Sequence, residues 1–331
     1  MNALIDPHKR KINYLRISIT DRCNLRCLYC MPQEGISQFG HAEVLSYEEI
    51  RRLAAIAARR GISKIRITGG EPLVRKGAVQ LVDQLARIEG IRDLSMTTNG
   101  VLLEKFAGDL RRAGLQRINI SMDSLDPDKY RRITRGGDLS QVWAGIAAAR
   151  NAGLNPIKIN VVAIAGFNDD EILDFARLTF EEDLQVRFIE FMPIGESSAW
   201  SPDQSIPAAE VKRRIESLAP LNPFTNGNNP SDGPARLFKL PGASGTIGLI
   251  SPVSDHFCTS CNRLRLTADG KLKTCLFSDE EVDLKSLIRS GESDENLDKI
   301  LDLAISRKPL RHGTIIARMK RCQRPMVKIG G

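Results

Sequence analysis

The feature that most constrains the fold is a repeated alternation of short β-branched segments and helical patterns over the first two thirds of the chain. The predicted strands are Tyr14–Ile19, Lys64–Thr68, Leu94–Thr97, Gln116–Ser121, Ile157–Ala163 and Gln185–Glu190. The predicted helices are Gly77–Ile88, Leu103–Ala113, Leu139–Ala152 and Asp169–Phe180, preceded by one that begins at Ser46, where Ser46 and Glu49 fit a capping box. Repeated β–α units imply parallel strands with right-handed crossovers, which an open doubly wound sheet and a partial barrel both satisfy.

Polar residues alternate with apolar ones along these strands. Because successive side chains point to opposite faces of a strand, each strand has one polar and one apolar face. Helices must cover the apolar faces, so the polar faces look into an open, wet lumen, whereas Val, Ile and Leu fill an ordinary eight-stranded barrel. We therefore predict an α/β fold, an incomplete (β/α)6 TIM-like barrel whose lumen holds a polar, anionic ligand. A sheet with one solvated face is the alternative. The polar-face residues include Arg16, Ser18, Arg66, Thr68, Asn119, Ser121, Lys158 and Asn160.

The pattern changes after Met192. A loop and one helix, about Pro207–Leu218, lead into a Pro-, Asn- and Gly-rich stretch at 220–241 that is typical of a linker. We predict two domains, a barrel over residues 1–218 and a smaller C-terminal domain over residues 219–331.

The charge and the apolar content narrow the class of protein. A net charge of +8 favours an anionic partner and leaves nucleic acid, nucleotide and membrane surface open. No apolar stretch approaches the ~18 residues of a transmembrane helix. The N-terminus lacks the apolar segment of a secretory signal, so we expect a cytoplasmic protein.

Six of the seven cysteines fall into two triplets, and the absence of a secretory signal argues against disulfides. Cys23, Cys27 and Cys30 form a CxxxCxxC motif just after the first strand, and sites of parallel α/β folds form at the C-terminal ends of strands. Three thiolates on one short loop can hold three corners of a [4Fe–4S] cluster and leave one iron open to chelate a small molecule. A structural zinc site is the alternative, although it requires a fourth ligand that is absent nearby in the sequence.

The first triplet and the segment after the second strand resemble the radical S-adenosylmethionine (SAM) superfamily. Tyr29 precedes the last cysteine of the motif, and Gly69–Pro72 matches the GGEP segment of that superfamily. The resemblance implies a [4Fe–4S] cluster whose open iron holds the amino and carboxylate groups of SAM. It also implies that one electron cleaves SAM to a 5′-deoxyadenosyl radical. The implied SAM contacts are Tyr29, Gly70, Ser121 and Met192.

The second triplet has the spacing CxxC-x13-C and comprises Cys258, Cys261 and Cys275. His256 can complete a zinc site with these thiolates as an alternative, although we expect it to shape the entry to a hairpin instead. The segment predicts a β-hairpin with its turn at Ala268–Gly270. Arg263 and Arg265 lie two residues apart and therefore on one strand face, where guanidinium forks suit bidentate recognition of phosphate.

Motifs along almost the whole chain together resemble the family of GTP 3′,8-cyclases, the radical SAM enzymes that open molybdenum cofactor biosynthesis. These motifs are DRCNLRCLYCMP, TGGEP, TTNG, NISMDSL, RFIEFMPIG, CNRLRLTADGKLKTCLF and the terminal Gly330–Gly331. The resemblance implies that the second triplet holds another [4Fe–4S] cluster, whose open iron binds the purine of GTP. It further implies that the radical abstracts hydrogen from C3′ of the ribose, and that C3′ then attacks C8 of guanine to give (8S)-3′,8-cyclo-7,8-dihydro-GTP.

The same resemblance assigns roles to further residues. It implies that Gly330 and Gly331 form a tail that reaches into the active site, and that Arg16, Arg263 and Arg265 act in catalysis. It implies a homodimer, with cyclic pyranopterin monophosphate synthase as the next enzyme and with no nucleic-acid or membrane partner. The implied GTP contacts are Arg16, Arg66, Thr97, Lys158, Arg263, Leu264 and Arg265.

Two other functions use the same residues. A radical SAM enzyme that carries an auxiliary cluster and modifies peptides keeps the chemistry, but the Arg-Leu-Arg segment and the diglycine disfavour it. A zinc-stabilised nucleic-acid-binding protein uses the same cysteines and the positive charge, but it leaves the polar lumen and the GGEP segment unexplained. Cys322 has no partner at ligand spacing and is interpreted as an ordinary thiol.

Overall fold

The computed structural model describes residues 3–195, 200–225, 233–312 and 322–330. Its strands are β1 Tyr14–Ser18, β2 Lys64–Thr68, β3 Asp93–Thr98, β4 Arg117–Ser121, β5 Ile157–Ala163, β6 Leu184–Glu190, β7 Asn222–Pro223, β8 Arg236–Lys239, β9 Thr246–Ile250, β10 Arg263–Leu266, β11 Lys271–Lys273 and β12 Val282–Asp283. Its α-helices are α1 Tyr47–Arg59, α2 Ala78–Ala86, α3 Leu103–Arg112, α4 Pro127–Thr134, α5 Leu139–Asn151, α6 Ile172–Glu181, α7 Ala208–Ile215, α8 Leu284–Arg289, α9 Asp294–Ser306 and α10 Met326–Ile329. None of these described helices combines the length and the apolar character that crossing a bilayer requires.

Within the described residues, twelve strands form one sheet in the order β12-β11-β10-β1-β2-β3-β4-β5-β6-β9-β8-β7. Strands β1 to β6 are parallel neighbours, which confirms the six predicted strands with ends that agree to within one residue. β10 adds to β1 in parallel, and β9 adds to β6 in parallel. The partial barrel is therefore extended on both sides by strands from the C-terminal third. The predicted hairpin is confirmed as the antiparallel pair of β10 and β11.

The apolar faces of the strands pack against the helices, as the alternation predicts. Leu15 and Ile17 of β1, for example, are buried in one core together with the inner faces of the helices. The predicted capping box of α1 is confirmed. The Ser46 hydroxyl accepts a hydrogen bond from the Glu49 N–H at 3.2 Å, and the Glu49 carboxylate accepts one from the Ser46 N–H at 2.7 Å. Such a cap stabilises a helix by about 1 kcal/mol.

Helix α4 is not among the predicted helices. Its segment, PDKYRRIT, is short and mostly polar, so it carries only a weak apolar period. Its start signals are nevertheless present in the sequence. The Asp126 carboxylate caps the helix by accepting a hydrogen bond from the Lys129 N–H at 2.8 Å, and Pro127 occupies the first turn.

The stretch at 220–241, predicted as a linker, contains the short strands β7 and β8 in its described part. β8 pairs with β9 in antiparallel fashion, and the Phe224 N–H donates to the carbonyl of Leu237 at 2.9 Å. Pro, Asn and Gly indicate turns, but they do not exclude short strands that pair with an existing sheet edge. The domain boundary at 218/219 stays a prediction.

Candidate active site

A cavity of about 240 Å³ lies on the polar side of the sheet. Every strand from β1 to β6 contributes at least one side chain to its wall, and so do β9 and β10. The polar faces therefore look into a lumen, as predicted. Because strands β1 to β6 are parallel, this lumen has a carboxyl end, where the loops that follow the strands meet, and an amino end opposite to it.

The first cysteine triplet lies at the carboxyl end, on the loop that follows β1. Helix α4 supports this loop, since the carbonyl of Ile133 accepts a hydrogen bond from the N–H of Leu28 at 2.9 Å. Burial raises the pKa of Cys23 to about 11, and burial together with the nearby Cys23 raises that of Cys30 to about 12. A positive centre is therefore needed to keep the triplet ionised. The half-buried free thiols are Cys23, Cys27 and Cys30.

The buried carboxylate of Glu71 joins the GGEP segment to the first triplet. It accepts hydrogen bonds from the Thr98 hydroxyl at 2.8 Å and from the Asn99 N–H at 2.7 Å, at the end of β3. The Asn99 side-chain amide lies 3.9 Å from the Cys23 sulfur. Burial raises the pKa of Glu71 to about 7. Glu71 thereby connects the loop after β2, the end of β3 and the cysteine loop.

The four predicted SAM contacts lie at this end of the sheet. Ser121 ends β4 and Met192 lies two residues after β6, and both line the cavity together with Tyr29. Gly70 is not among the described residues that line it. A Cβ at Gly70 would lie 2.4 Å from the carbonyl oxygen of Arg22, so the close approach of two backbones requires glycine here.

A hydrogen-bonded pair of side chains, the half-buried Tyr29 and the buried Asp123, lies at the carboxyl end. The Tyr29 hydroxyl donates to the Asp123 carboxylate at 2.7 Å, and the other carboxylate oxygen accepts from the Val162 N–H at 2.8 Å. Burial raises the pKa of Asp123 to about 6. Asp123 thereby attaches the aromatic residue of the cysteine motif to β5.

A group of buried cations surrounds the lumen between its carboxyl end and its amino end. Burial, and then the repulsion of neighbouring guanidinium groups, lowers the pKa of Arg187 to about 9 and that of Arg265 to about 10. Burial and the charge of Arg187 lower the pKa of Lys158 to about 5. So much buried positive charge is costly unless an anion compensates it, so the lumen favours a polyanionic ligand. The arginines of the cavity wall that are at most 8% exposed are Arg16, Arg66, Arg187 and Arg265.

The second triplet lies at the amino end of the lumen. Cys261 precedes β10, which runs parallel to β1, whereas the first triplet follows β1. The Lys308 ammonium donates to the carbonyl of Arg263 at 3.0 Å and lies 3.7 Å from the Cys261 sulfur. Although burial raises the pKa of Cys261, the charges of Lys308 and Arg263 outweigh it and lower that pKa. All three thiols of this triplet line the cavity, namely Cys258, Cys261 and Cys275.

The segment 322–330 packs against the loop that follows β6 and against the loop of the first triplet. The carbonyl of the buried Cys322 accepts a hydrogen bond from the Gly195 N–H at 2.9 Å, after the end of β6. The backbone N–H of Val327 donates to the thiol of Cys30. The segment is therefore held against the loop of the first triplet.

Gly330, at the end of this segment, reaches the cations. Its carbonyl accepts a hydrogen bond from the Arg265 guanidinium at 2.8 Å. Gly330 has a φ of +84°, and a Cβ there would lie 2.4 Å from the Thr68 hydroxyl oxygen. Both the left-handed backbone and the narrow space require glycine. The other predicted tail residue, Gly331, lies outside the described residues.

The structure brings most of the predicted GTP contacts to one cavity. Lys158 lies on the same face of β5 as Asn160, two residues nearer the amino end of the strand. It is not among the described residues of the cavity wall. The side chain of Leu264 is part of the hydrophobic core, so only its backbone is available to a ligand. The predicted contacts that line the cavity are Arg16, Arg66, Thr97, Arg263 and Arg265.

Some cavity residues are not among the sequence-predicted contacts. Most of these lie on the polar faces of predicted strands or just after them, so the alternation is a signal that finds them. His312 has no such signal. Its ring is brought to the cavity by packing 4.3 Å, centroid to centroid, from Phe277. The additional wall residues include Asn119, Asp123, Asn160, Arg187 and His312.

The placement of the thiols bears on the metal group that each triplet can hold. Across the described residues, no three His, Cys, Asp or Glu side chains are arranged to hold a single metal ion. Three thiols can hold three corners of a cubane cluster and leave one iron open, so each triplet fits that group by the chemistry of its donors.

Two family profiles match successive parts of the chain. The profile of the radical SAM superfamily matches residues 17–179, and the profile of Molybdenum Cofactor Synthesis C matches residues 184–314. Relatives named GTP 3′,8-cyclase from Alkaliphilus metalliredigens and Moorella thermoacetica are 51% and 53% identical over 326 residues, which cover 98% of this chain and 99% of each relative. One from Thermodesulfovibrio yellowstonii is 53% identical over 328 residues, with the same coverage.

Among solved structures, Streptococcus suis SuiB bound to S-adenosylmethionine superimposes with a TM-score of 0.61 at 15% identity, over 93% of this chain and 69% of that chain. At that identity the likeness shows the fold alone. Together with the radical SAM profile, it confirms the predicted TIM-like partial barrel.

Proposed function

This chain belongs to the family of GTP 3′,8-cyclases, and from that premise we propose how its lumen carries out the reaction. The chain is a radical SAM enzyme that converts GTP to (8S)-3′,8-cyclo-7,8-dihydro-GTP, the first step of molybdenum cofactor biosynthesis. The reaction joins C3′ of the ribose to C8 of guanine. The observation that carries our proposal is the lumen itself, in which buried cations lie between two cysteine triplets.

The enzyme uses a [4Fe–4S] cluster and SAM. When bound, they supply the carbon-centred radical that removes a hydrogen atom from the substrate. Tyr29, Ser121 and Met192 orient SAM at the carboxyl end, and Gly70 brings the backbone of the GGEP segment against the cysteine loop. Asp123 holds Tyr29 in place through its 2.7 Å hydrogen bond. The residues that hold the cluster are Cys23, Cys27 and Cys30.

The buried guanidinium groups bind the triphosphate of GTP. Arg66, Arg187 and Arg265 offer several N–H donors in fixed forks, which match phosphate oxygens. A bound triphosphate also relieves the repulsion that lowers their pKa values. Arg16 and Arg263 complete this group. Lys158 approaches it from the amino end of the lumen. The triphosphate therefore neutralises charge that the fold leaves concentrated.

We propose that Cys258, Cys261 and Cys275 would hold a second [4Fe–4S] cluster, which would leave one iron free to bind the purine of GTP. Two observations support this. The thiols line the same cavity as the cations, and Lys308 favours the thiolate form of Cys261. The nucleobase then lies at the amino end, and the ribose lies between it and SAM.

Family membership supports three further proposals. The enzyme acts in the cytoplasm, it forms a homodimer, and its product passes to cyclic pyranopterin monophosphate synthase. The buried cations of the lumen account for the preference for an anionic ligand that the net charge of +8 indicates.

Isotope transfer tests the proposed reaction directly. The reconstituted enzyme is incubated anaerobically with SAM, a reductant and GTP that carries deuterium at C3′. We expect a cyclised isomer of GTP and an equal amount of 5′-deoxyadenosine that contains the deuterium, both measured by liquid chromatography and mass spectrometry.

GTP deuterated at C8 serves as the matched control, and it should give unlabelled 5′-deoxyadenosine. Unlabelled 5′-deoxyadenosine from the C3′-deuterated substrate would contradict the proposed site of hydrogen removal. Absence of any cyclised product would contradict the function as a whole.

A further inference from the structure

Asn119 lies between the two chemically different parts of the lumen. Ser121 lies on the same face of β4, two residues nearer the carboxyl end, where SAM is proposed to bind. On the neighbouring strands, Asn119 is paired in register with Thr97 and Lys158. Arg16 and Arg66 are paired with each other in register, and they lie two residues nearer the amino end of the sheet than Asn119 does.

The side-chain amide of Asn119 is unsatisfied. Asn119 is 0% exposed and lines the cavity, yet neither its oxygen nor its nitrogen has a hydrogen-bond partner among the residues that the structure describes. The hydroxyl of Thr97, its neighbour on β3, lacks a described partner as well. Buried polar groups are nearly always paired in native proteins, so this pair of side chains is suited to a ligand.

The chemistry of the pair indicates which part of a ligand it meets. A phosphate is an acceptor only and is better served by the arginines, whereas a hydroxyl both donates and accepts. The Asn119 amide presents an acceptor and two donors, and Thr97 adds a hydroxyl. Such neutral groups complement sugar hydroxyls.

We propose that Asn119, supported by Thr97, recognises the ribose hydroxyls of GTP and makes the enzyme select ribonucleotides over 2′-deoxyribonucleotides. This inference rests on the proposed function, because C3′ must lie close to SAM while the triphosphate lies on the arginines. The ribose is then the part of the substrate that lies beside Asn119, between SAM and the arginines. The amide oxygen accepts from the 2′-hydroxyl and the amide nitrogen donates to a sugar oxygen.

The test compares the affinities of the holoenzyme for GTP and for 2′-deoxy-GTP, measured by anaerobic calorimetry. We expect the wild-type enzyme to bind GTP about tenfold more tightly, the factor that a well-made buried hydrogen bond contributes. Asn119→Ala should weaken GTP binding and leave 2′-deoxy-GTP binding nearly unchanged, so that the ratio falls close to one. The thermal midpoint of the free variant should not fall, because the substitution removes no protein hydrogen bond.

Asn151→Ala is the control. It removes the same side chain from the exposed end of α5, outside the cavity wall. It should keep the wild-type ratio of affinities. If Asn119→Ala does not fold, Asn119→Ser provides the same comparison, with an intermediate ratio expected.

The outcomes separate this inference from the proposed function. Wild-type enzyme that binds neither nucleotide would overturn the proposed function. Wild-type enzyme that binds both nucleotides equally well would overturn this inference alone, as would an Asn119 variant that keeps the wild-type ratio.

Discussion

The two cysteine triplets differ in how the chain assembles them and in the charges around them. The first triplet comes from one loop, and the buried carboxyl groups of Glu71 and Asp123 lie close to it. The second joins a turn before β10 to a residue after β11, and Lys308 and Arg263 lie beside it. The carboxyl groups suit the positively charged sulfonium of SAM, and the cations suit a nucleoside triphosphate. The charge of each end therefore matches the charge of the molecule that is proposed to bind there.

The difference also shows which centre depends on distant parts of the chain. The loop of the first triplet is supported by elements of the barrel, chiefly α4 and the GGEP segment. The second triplet forms only when β10 has paired with β1 and Lys308 has packed against it. Substitutions at the two ends should therefore separate SAM chemistry from GTP chemistry.

Removal of one thiol from each triplet should give the largest effect. Cys27→Ala should abolish all cleavage of SAM, because the first cluster loses a ligand. Cys261→Ala should abolish formation of the cyclic product while slow cleavage of SAM continues. The measurements are iron content, 5′-deoxyadenosine and cyclic product. Loss of SAM cleavage in both variants would remove the functional difference between the two ends.

Gly330 tests the C-terminal segment, which contacts both the loop of the first triplet and Arg265. Gly330→Ala places a Cβ against the Thr68 hydroxyl and should move the carbonyl away from Arg265, lowering kcat about a hundredfold. Gly166→Ala is the matched control, because Gly166 also has a positive φ, +71°, with open space around it. The control should keep normal turnover, and both variants should retain their iron. Normal turnover in Gly330→Ala would show that the tail is not needed.

Arg187 tests the cationic part of the lumen. Arg187→Met should raise the Kd for GTP about thirtyfold, because it removes a charged hydrogen-bond donor from a buried site. The affinity for SAM should not change. Arg177→Met, on the exposed face of α6, is the control and should leave both affinities unaltered. Equal weakening of SAM and GTP binding would show that the charges of the two ends are not separate.

The last effect, at Glu71, is on stability. Its pKa rises from an ordinary 4.5 to about 7 on folding, so the folded state holds this proton more tightly than the unfolded state. The contribution to stability is complete below about pH 4.5 and is lost as the pH rises through about 7. The wild-type protein should therefore lose about 2–3 kcal/mol relative to Glu71→Gln across that interval.

Urea unfolding of the cluster-free, reduced proteins at several pH values measures this difference. The exposed Asp174→Asn variant should show a constant difference from the wild-type protein over the same interval. A constant difference for Glu71→Gln as well would contradict the raised pKa.

The sequence predicts the barrel well because the information is local. The alternation in Tyr14–Ser18 or Lys64–Thr68 is visible within each strand, and so is the direction of its polar face. Helix α4 has clear start signals but only a weak apolar period, and β8 is a strand because β9 lies beside it. These two elements mark where local patterns stop being sufficient.

The site shows the same limit. Arg16, Arg66 and Ser121 can be assigned to the lumen from alternation, and the motif resemblance adds their roles. The register between strands decides which polar residues lie side by side in the lumen, as it does for Thr97 and Asn119. Lys308 and His312 reach the second triplet only through tertiary packing. Their positions follow from the folded molecule rather than from any spacing.

The parallel pairing of β10 with β1 and of β9 with β6 has a practical consequence for dissecting this enzyme. A fragment that stops at residue 218 would keep the pairing of β1 with β2 and of β6 with β5 but would leave the other edge of β1 and of β6 without a hydrogen-bonded strand. Bare edges of that kind recruit other chains and aggregate. Studying one redox centre in isolation therefore calls for cysteine substitutions in the full-length polypeptide instead of truncation.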